Sequence, residues 1–190
     1  MGARLFAAVV PPDEVVSDLE RFMSPRWDVR EQGSARLRWT TPASWHITTA
    51  FYDSVDDDRY EPLRGALAAI AARLPASVIS IEGAGAFPSP ERAQVLWLGL
   101  SDPAGLLPRL AEGSRTAGHR VGVPADGTRF VPHLTMARVS GRIESTRWLR
   151  VLATYASASW TCAELCLVES HLADRRPHRY EIREHFPLQG

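Results

Sequence analysis

Residues 45–50 read Trp-His-Ile-Thr-Thr-Ala, and residues 132–137 read Pro-His-Leu-Thr-Met-Ala. Each is a His-apolar-Thr-x-Ala unit in apolar surroundings. On a strand, side chains alternate between faces, so residues i and i+2 point the same way. His46 and Thr48 therefore share one face, with Trp45, Ile47 and Thr49 on the other. His133 and Thr135 share a face likewise, with Leu134 and Met136 behind them. Two imidazoles, each with a hydroxyl beside it, suit a symmetric site. One ring gives a proton, the other takes one, and the hydroxyls hold the group between them. The chain has six His and ten Thr in 190 residues. Two His-x-Thr spacings arise by chance in roughly one such chain in twenty-five, and the matched apolar and Ala positions sharpen that signal. A lone histidine of this kind is more often a hydrogen-bonded core residue, so it is the pairing that carries the reading.

Composition narrows the chemistry. A chain of 190 residues, 45% hydrophobic and 23% charged, is long enough for one good core or two small lobes sharing an interface. The formal net charge is zero, which excludes a global basic field for gripping long nucleic acid. All 22 basic residues are arginine. This excludes lysyl-nucleotide intermediates, Schiff bases and a phosphate-loop lysine. It does not exclude phosphate binding, for which the guanidinium fork is well shaped. Cys162 and Cys166 are the two cysteines. Their spacing lacks a second ligand pair, so zinc is not expected and both read as buried free thiols. Reduced cysteines, no signal pattern and no membrane-length apolar run fit a cytoplasmic protein with no membrane contact.

Patterning places the motifs. Arg4–Val10 reads as a buried strand ending at Pro11-Pro12, followed by a helix over 12–23 capped by Asp13. Leu37–Thr40 and Trp45–Tyr52 read as strands joined across Thr41-Pro42. The acidic run Asp56-Asp57-Asp58 complements the dipole of a helix over 57–74 and is not read as a metal site. Val78–Phe87 and Ala93–Leu100 follow as strands, then a helix from Asp102-Pro103 to Ala117. The second motif lies on a strand over Phe130–Val139. A helix over 142–156 and strands at Ser159–His171 and Arg179–Phe186 complete the chain, with Ala173–Pro177 as a hairpin tip. This order predicts an α+β fold with largely antiparallel sheets, built as two similar halves facing each other.

With these residues in view, the chain resembles the two-histidine phosphoesterases, and within them the bacterial and archaeal RNA 2′,3′-cyclic phosphodiesterases, also called 2′-5′ RNA ligases. The likeness runs from Arg4-Leu5-Phe6-Ala7-Ala8 with its Pro-Pro, through Trp45-His46-Ile47-Thr48, Gly85-Ala86-Phe87-Pro88 and Val95-Leu96-Trp97-Leu98-Gly99. It continues through Phe130 to Arg138, Glu164 to Ser170, and Tyr180 to Leu188. The resemblance implies one domain over residues 1–190, with two pseudo-symmetric lobes, each an antiparallel sheet with helices outside, around a central cleft. It implies opening of an RNA 2′,3′-cyclic phosphate to a 2′-phosphate, without metal or other cofactor. His46 is then the proton donor and His133 the proton acceptor, while Thr48, Thr135 and Arg138 bind phosphate. Phe6 is a candidate for base stacking or core packing, and Arg36 and Arg38 for RNA phosphates or a solvated face.

The same histidines would serve 2′-5′ ligation or another cyclic nucleotide, and a non-catalytic RNA-binding module is the third alternative. The expected partner is RNA or a nucleotide bearing a 2′,3′-cyclic phosphate, with no obligate protein partner and a monomeric state. His119, His171, His178 and His185 lack the paired threonine and receive no role. Two departures stand out. Thr49 replaces the leucine of many relatives, and Phe51-Tyr52-Asp53 replaces their usual phenylalanine-leucine-glycine. Strict alternation also puts Arg138 on the face opposite His133, so its role requires a bulge or a reach around the strand end.

Overall fold

The computed structural model describes every residue except 1, 30, 33, 34, 126, 128, 172–178 and 190. The loop expected at 173–177 and His178 therefore lie outside the described residues. The first strand, β1 (Ala3–Val9), is buried from Leu5 through Val9. A continuous apolar run of this kind is what a strand covered on both faces requires. It pairs with β4 (Ile47–Val55) on one side and β9 (Glu164–His171) on the other, and β9 pairs with β10 (Arg179–Pro187). The second sheet has the order β2-β3-β7-β6-β5-β8. Its members are Glu31–Gln32, Ala35–Trp39, His133–Ile143, Ala93–Ser101, Ser77–Phe87 and Trp160–Cys162. Every ladder in both sheets is antiparallel. The α+β reading with two facing halves is thus the observed architecture.

The helices cross between the halves. Helix α1 (Asp13–Met23) follows β1 of the first sheet yet backs the second. Its Val15, Leu19 and Met23, spaced four apart on one face, join Leu37, Leu96, Leu98, Leu134 and Met136. Helix α3 (Leu106–Arg120) follows β6 of the second sheet yet backs the first. There it packs with α2 (Asp57–Ala71) on Leu5, Ala7, Ile47 and Tyr52. Helix α4 (Thr146–Leu152) adds Leu152 to the second core. The two cores leave the opposite faces of the sheets to look at each other.

Local chemistry explains the element ends. The Asp102 carboxylate accepts the backbone N–H groups of Leu106 and Leu107 at 3.0 and 2.7 Å, and so starts α3. Gly105 supplies the left-handed turn before it, at φ 65°. Asp13, expected as a cap, is instead the first helical residue after Pro12, where its charge complements the dipole.

Several boundaries differ from the sequence reading. The segment 159–171 is two strands, not one. It breaks at Ala163, and β8 and β9 belong to different sheets. Cys162 therefore packs in the first core and Cys166 on the other face of the first sheet, with Phe6, Ala8 and Val168. The strand β7 runs on to Ile143, which shortens the expected helix over 142–156 to Thr146–Leu152. The strands β3 and β4 do not pair. A single 3-10 turn, Pro42–Ser44, carries the chain from one sheet to the other. Thr40 fastens that crossing. Its N–H donates to the Met136 carbonyl at 2.8 Å, and its hydroxyl accepts from the Trp45 indole at 2.9 Å.

Candidate active site

The two motif histidines sit at equivalent places, at or just before the start of β4 and β7. Each ring is held the same way. The Nδ1 of His46 lies 2.7 Å from the carbonyl of Ser44, and the Nδ1 of His133 lies 2.7 Å from the carbonyl of Val131. A carbonyl only accepts, so each Nδ1 carries the proton and donates it two residues back along the chain. In the neutral ring this leaves Nε2 as the basic nitrogen on both histidines.

Aromatic walls hold the rings from the sides. Phe6 lies 4.6 Å from His46, and Tyr180 meets the same ring edge-on at 5.0 Å. Phe87 meets His133 edge-on at 5.0 Å, with Trp97 at 6.1 Å. The indole of Trp97 lies where a side chain on Gly85 would be, because a Cβ there would stand 2.1 Å from the ring.

The same contacts set the electrostatics. Burial pushes the His46 pKa down to about 4. The Ser44 carbonyl opposes this, while the charges of His133 and Arg138 add to it. Burial lowers the His133 pKa as well, against the Val131 carbonyl and with Arg138 again contributing. His46 on the first sheet thus senses His133 and Arg138 on the second, so the three groups share one electrostatic field across the cleft. Both rings are neutral near pH 7 in the ligand-free site. An anion between them favours protonation of one.

Strand register places the other residues. On β4, Thr48 pairs with Ala8 and Ala50 with Ala7, so Thr49 is an extra residue without a partner. On β7, Thr135 pairs with Trp97 and Ala137 with Leu96, so Met136 is extra in the same way. Each bulge reverses the alternation. Past it, Arg138 pairs with Val95 and stands on the face of Thr135 and His133. Phe51 pairs with Phe6 and stands on the face of Thr48. The bulge that Arg138 requires is present.

The residue after each threonine also has a local purpose. Thr49 is 2% exposed, and its hydroxyl donates to the Ala7 carbonyl at 3.1 Å, with Ser114 Oγ at 3.3 Å. The Tyr52 hydroxyl donates to the Ser114 carbonyl at 2.8 Å. The departures at 49 and 52 therefore fasten α3 at Ser114.

The next residue on α3, Arg115, lines a cavity of about 430 Å3 between the sheets. Thr48, Phe51, Phe87, Arg129, Phe130 and His133 also line it. Arg115 and Arg129 carry no motif, and sequence reasoning passed over them, while Phe130, which opens the second-motif stretch, received no site role and lies just before β7. Only the helix crossing and the register bring them here. Phe6 is 2% exposed and forms the floor under His46, Phe51 and Tyr180, which leaves no open face for a base. Arg36 and Arg38 are exposed, and Arg38 pairs with Arg138 on the cleft-side face of β3.

Residues 10–97 match the family model of the LigT-like phosphoesterases. Over those residues, just under half of its length, the chain is similar to that family. Among the relatives is an RNA 2′,3′-cyclic phosphodiesterase of Aquifex aeolicus, 28% identical over 156 residues, which are 80% of this chain and 82% of the relative. An enzyme of the same name from Methanothermobacter thermautotrophicus is 26% identical over 180 residues, 93% of this chain and 95% of the relative. The fold matches E. coli LigT crystallised with 3′-AMP at a TM-score of 0.77 and 22% identity, over all of both chains. It matches the protein TT0787 of Thermus thermophilus at 0.76 and 22%, over 98% of each. Among the described residues, no helix is long and apolar enough to cross a membrane.

Proposed function

We propose that this chain opens RNA 2′,3′-cyclic phosphate ends to 2′-phosphomonoesters by acid–base catalysis between two histidines. The observation that carries the reading is the matched pair of Nδ1-to-carbonyl hydrogen bonds, which leaves both imidazoles the same basic nitrogen. Two such rings on facing strands, one neutral and one protonated, are the minimum equipment for in-line displacement at phosphorus.

In this scheme the phosphate group lies between the rings. The Nε2 of His133 takes a proton from water as the water oxygen bonds to phosphorus. The bond from phosphorus to O3′ breaks, and the protonated Nε2 of His46 gives its proton to O3′. The product is a 3′-hydroxyl with a 2′-phosphate. Thr48, Thr135 and Arg138 supply donors to the non-bridging oxygens, where charge builds. The acid and base labels follow the family resemblance, because the two rings are locally equivalent. Protonation of His46 needs the substrate's own negative charge, since the free ring is held neutral by burial.

The cavity beside the phosphate position is the nucleoside pocket. Phe51, Phe87 and Phe130 offer ring faces, and Arg115 and Arg129 offer charge to a neighbouring phosphate. Phe51, half-buried with Arg4 5.1 Å above its ring, takes the stacking role considered for Phe6. The scheme places no metal in the reaction and treats the whole chain as one catalytic domain.

The test is turnover of the four nucleoside 2′,3′-cyclic phosphates with a chelator present, the product isomer being read by phosphorus NMR. Formation of the 2′-phosphate, abolished in His133→Ala, is expected. A 3′-phosphate product, or activity restored only by a divalent ion, overturns the mechanism.

A further inference from the structure

On the cleft-side face of the first sheet, one row runs His185, Cys166, Ala8, Thr48 across β10, β9, β1 and β4. Glu164 is two residues from Cys166 on the same face. Three donor atoms converge at the outer end of this row. His185 Nδ1 is 3.0 Å from Glu164 Oε1, and Cys166 Sγ is 3.7 Å from each of them. The point equidistant from three atoms so spaced is about 2.0 Å from each, and a rise of under about 1 Å from their plane reaches the 2.0–2.3 Å of zinc–oxygen, zinc–nitrogen and zinc–sulfur bonds.

We propose that Glu164, Cys166 and His185 form a zinc site that clips β10 to β9, with water as the fourth ligand. One thiolate, one imidazole and one carboxylate suit zinc in size and softness. Binding releases the thiol proton to solvent. The side chains of Glu164 and His185 are 47% and 55% exposed, so the open side of the triangle faces water and gives the ion a way in.

The contrast with His171 is instructive. Its Nδ1 faces Glu169 at 3.6 Å and its Nε2 faces Glu181 at 3.2 Å. Those carboxylates approach different nitrogens of the ring, and both also approach Arg183 Nη1, at 3.2 and 3.9 Å. The cysteine spacing hid the site at Glu164, because its ligands come from neighbouring strands, with His185 19 residues after Cys166.

The site lies two strand spacings from Thr48, about 10 Å along the row, so it stands apart from the phosphate position. Its consequence is structural. The strand β10 also carries Tyr180, which walls His46, so a clip between β9 and β10 fixes that wall.

The experiment titrates zinc into the chelator-stripped full chain against a chromophoric competitor, and repeats it with Glu164→Gln, His185→Gln and Cys166→Ser. One zinc per chain is expected, with a higher melting midpoint. Each variant should weaken binding by at least the ~10–100-fold that losing a ligand's supporting partner costs. Cobalt should give a thiolate charge-transfer band that Cys166→Ser lacks. His185→Gln, on the surface, keeps the fold and its basal turnover, so lost binding there is not misfolding. Zinc binding of equal strength in His185→Gln, or a melting midpoint indifferent to zinc with the wild-type triad, leaves an ion pair beside a thiol and overturns the site.

Discussion

Phe51 and Arg138 occupy the same place in the two halves of the cleft. Each stands five residues after its histidine, and each is returned to the cleft face by a single extra residue, Thr49 or Met136. The pseudo-symmetry therefore reaches the bulges as well as the motifs, and on the cleft face it is broken chemically at this position. One half presents an aromatic ring and the other a guanidinium.

Arg138→Ala tests the charged half. Arg138 lowers the pKa of both histidines, so its loss raises both. The acidic limb of the kcat/KM profile should move to higher pH, and kcat/KM near pH 7 should fall by about 1.5–3 kcal/mol of transition-state binding, the scale of a hydrogen bond to a charged group. A lower kcat/KM with the pH profile unmoved would separate Arg138 from the histidines.

Thr49→Val tests the bulge in the other half. The isosteric change removes the hydroxyl's hydrogen bond to the Ala7 carbonyl and its contact with Ser114 Oγ, both buried. A loss of about 1–3 kcal/mol in urea unfolding is expected. Because Ser114 precedes Arg115 at the cavity, KM should rise more than kcat falls. Wild-type stability would mean that water replaces the hydroxyl.

The motifs were legible because each needs only local chemistry: a strand period, a histidine and a hydroxyl. Arg138 was half legible. Its identity was plain, but its face depended on a bulge, and nothing in Thr135-Met136-Ala137 distinguishes a bulged strand from a regular one. The break at Ala163 was hidden because Trp160 to Ser170 alternates well enough for one strand. Only the competition between two sheets for its two ends splits it. Arg115 was illegible, since α3 reaches the first sheet by a crossing that periodicity does not encode, and the cavity role of Arg129 and Phe130 depends on the path of the loop before β7. The Glu164, Cys166 and His185 cluster is of the same kind, a product of register between strands.

Burial of His46 couples stability to pH. Its folded pKa is about 4 against an ordinary 6.5, so the unfolded chain binds the proton more readily. The stabilisation is full above pH 6.5 and is lost as pH falls toward 4. Melting midpoints measured across that window should drop. Inorganic phosphate should reduce the drop by favouring the protonated rings, and His46→Gln should flatten it. A drop of equal size in His46→Gln would assign the effect to other groups.

Gly85→Ala addresses the wall of His133. The new methyl group would stand 2.1 Å from Trp97, a contact no rotamer of alanine relieves. The indole must shift on the face it shares with His133, at a cost of about 1–3 kcal/mol for overpacking. Turnover should fall along with stability. Trp97→Phe in the same background should recover part of both, measured by melting and by initial rates. No recovery would place the damage in the β5–β6 ladder instead of the wall.

The division of labour between the histidines is the sharpest test of the proposed mechanism. An acid is needed only when the leaving oxygen is basic. His46→Ala should therefore lose most on RNA cyclic phosphates and retain more on an aryl phosphodiester whose phenolate departs unprotonated. His133→Ala should fail on both, because water still needs a base. The wild-type rate should follow a bell-shaped pH curve whose two limbs belong to the coupled pair. In kcat, which reports the substrate complex, the acidic limb should lie at higher pH than the depressed values of the free rings, since the bound anion stabilises the imidazolium. If His133→Ala is the variant rescued by the good leaving group, the roles are exchanged, as the matched Nδ1 hydrogen bonds of the two rings permit. If both variants lose equally on both substrates, neither ring acts as a dedicated acid. The pair would then serve to position the phosphate.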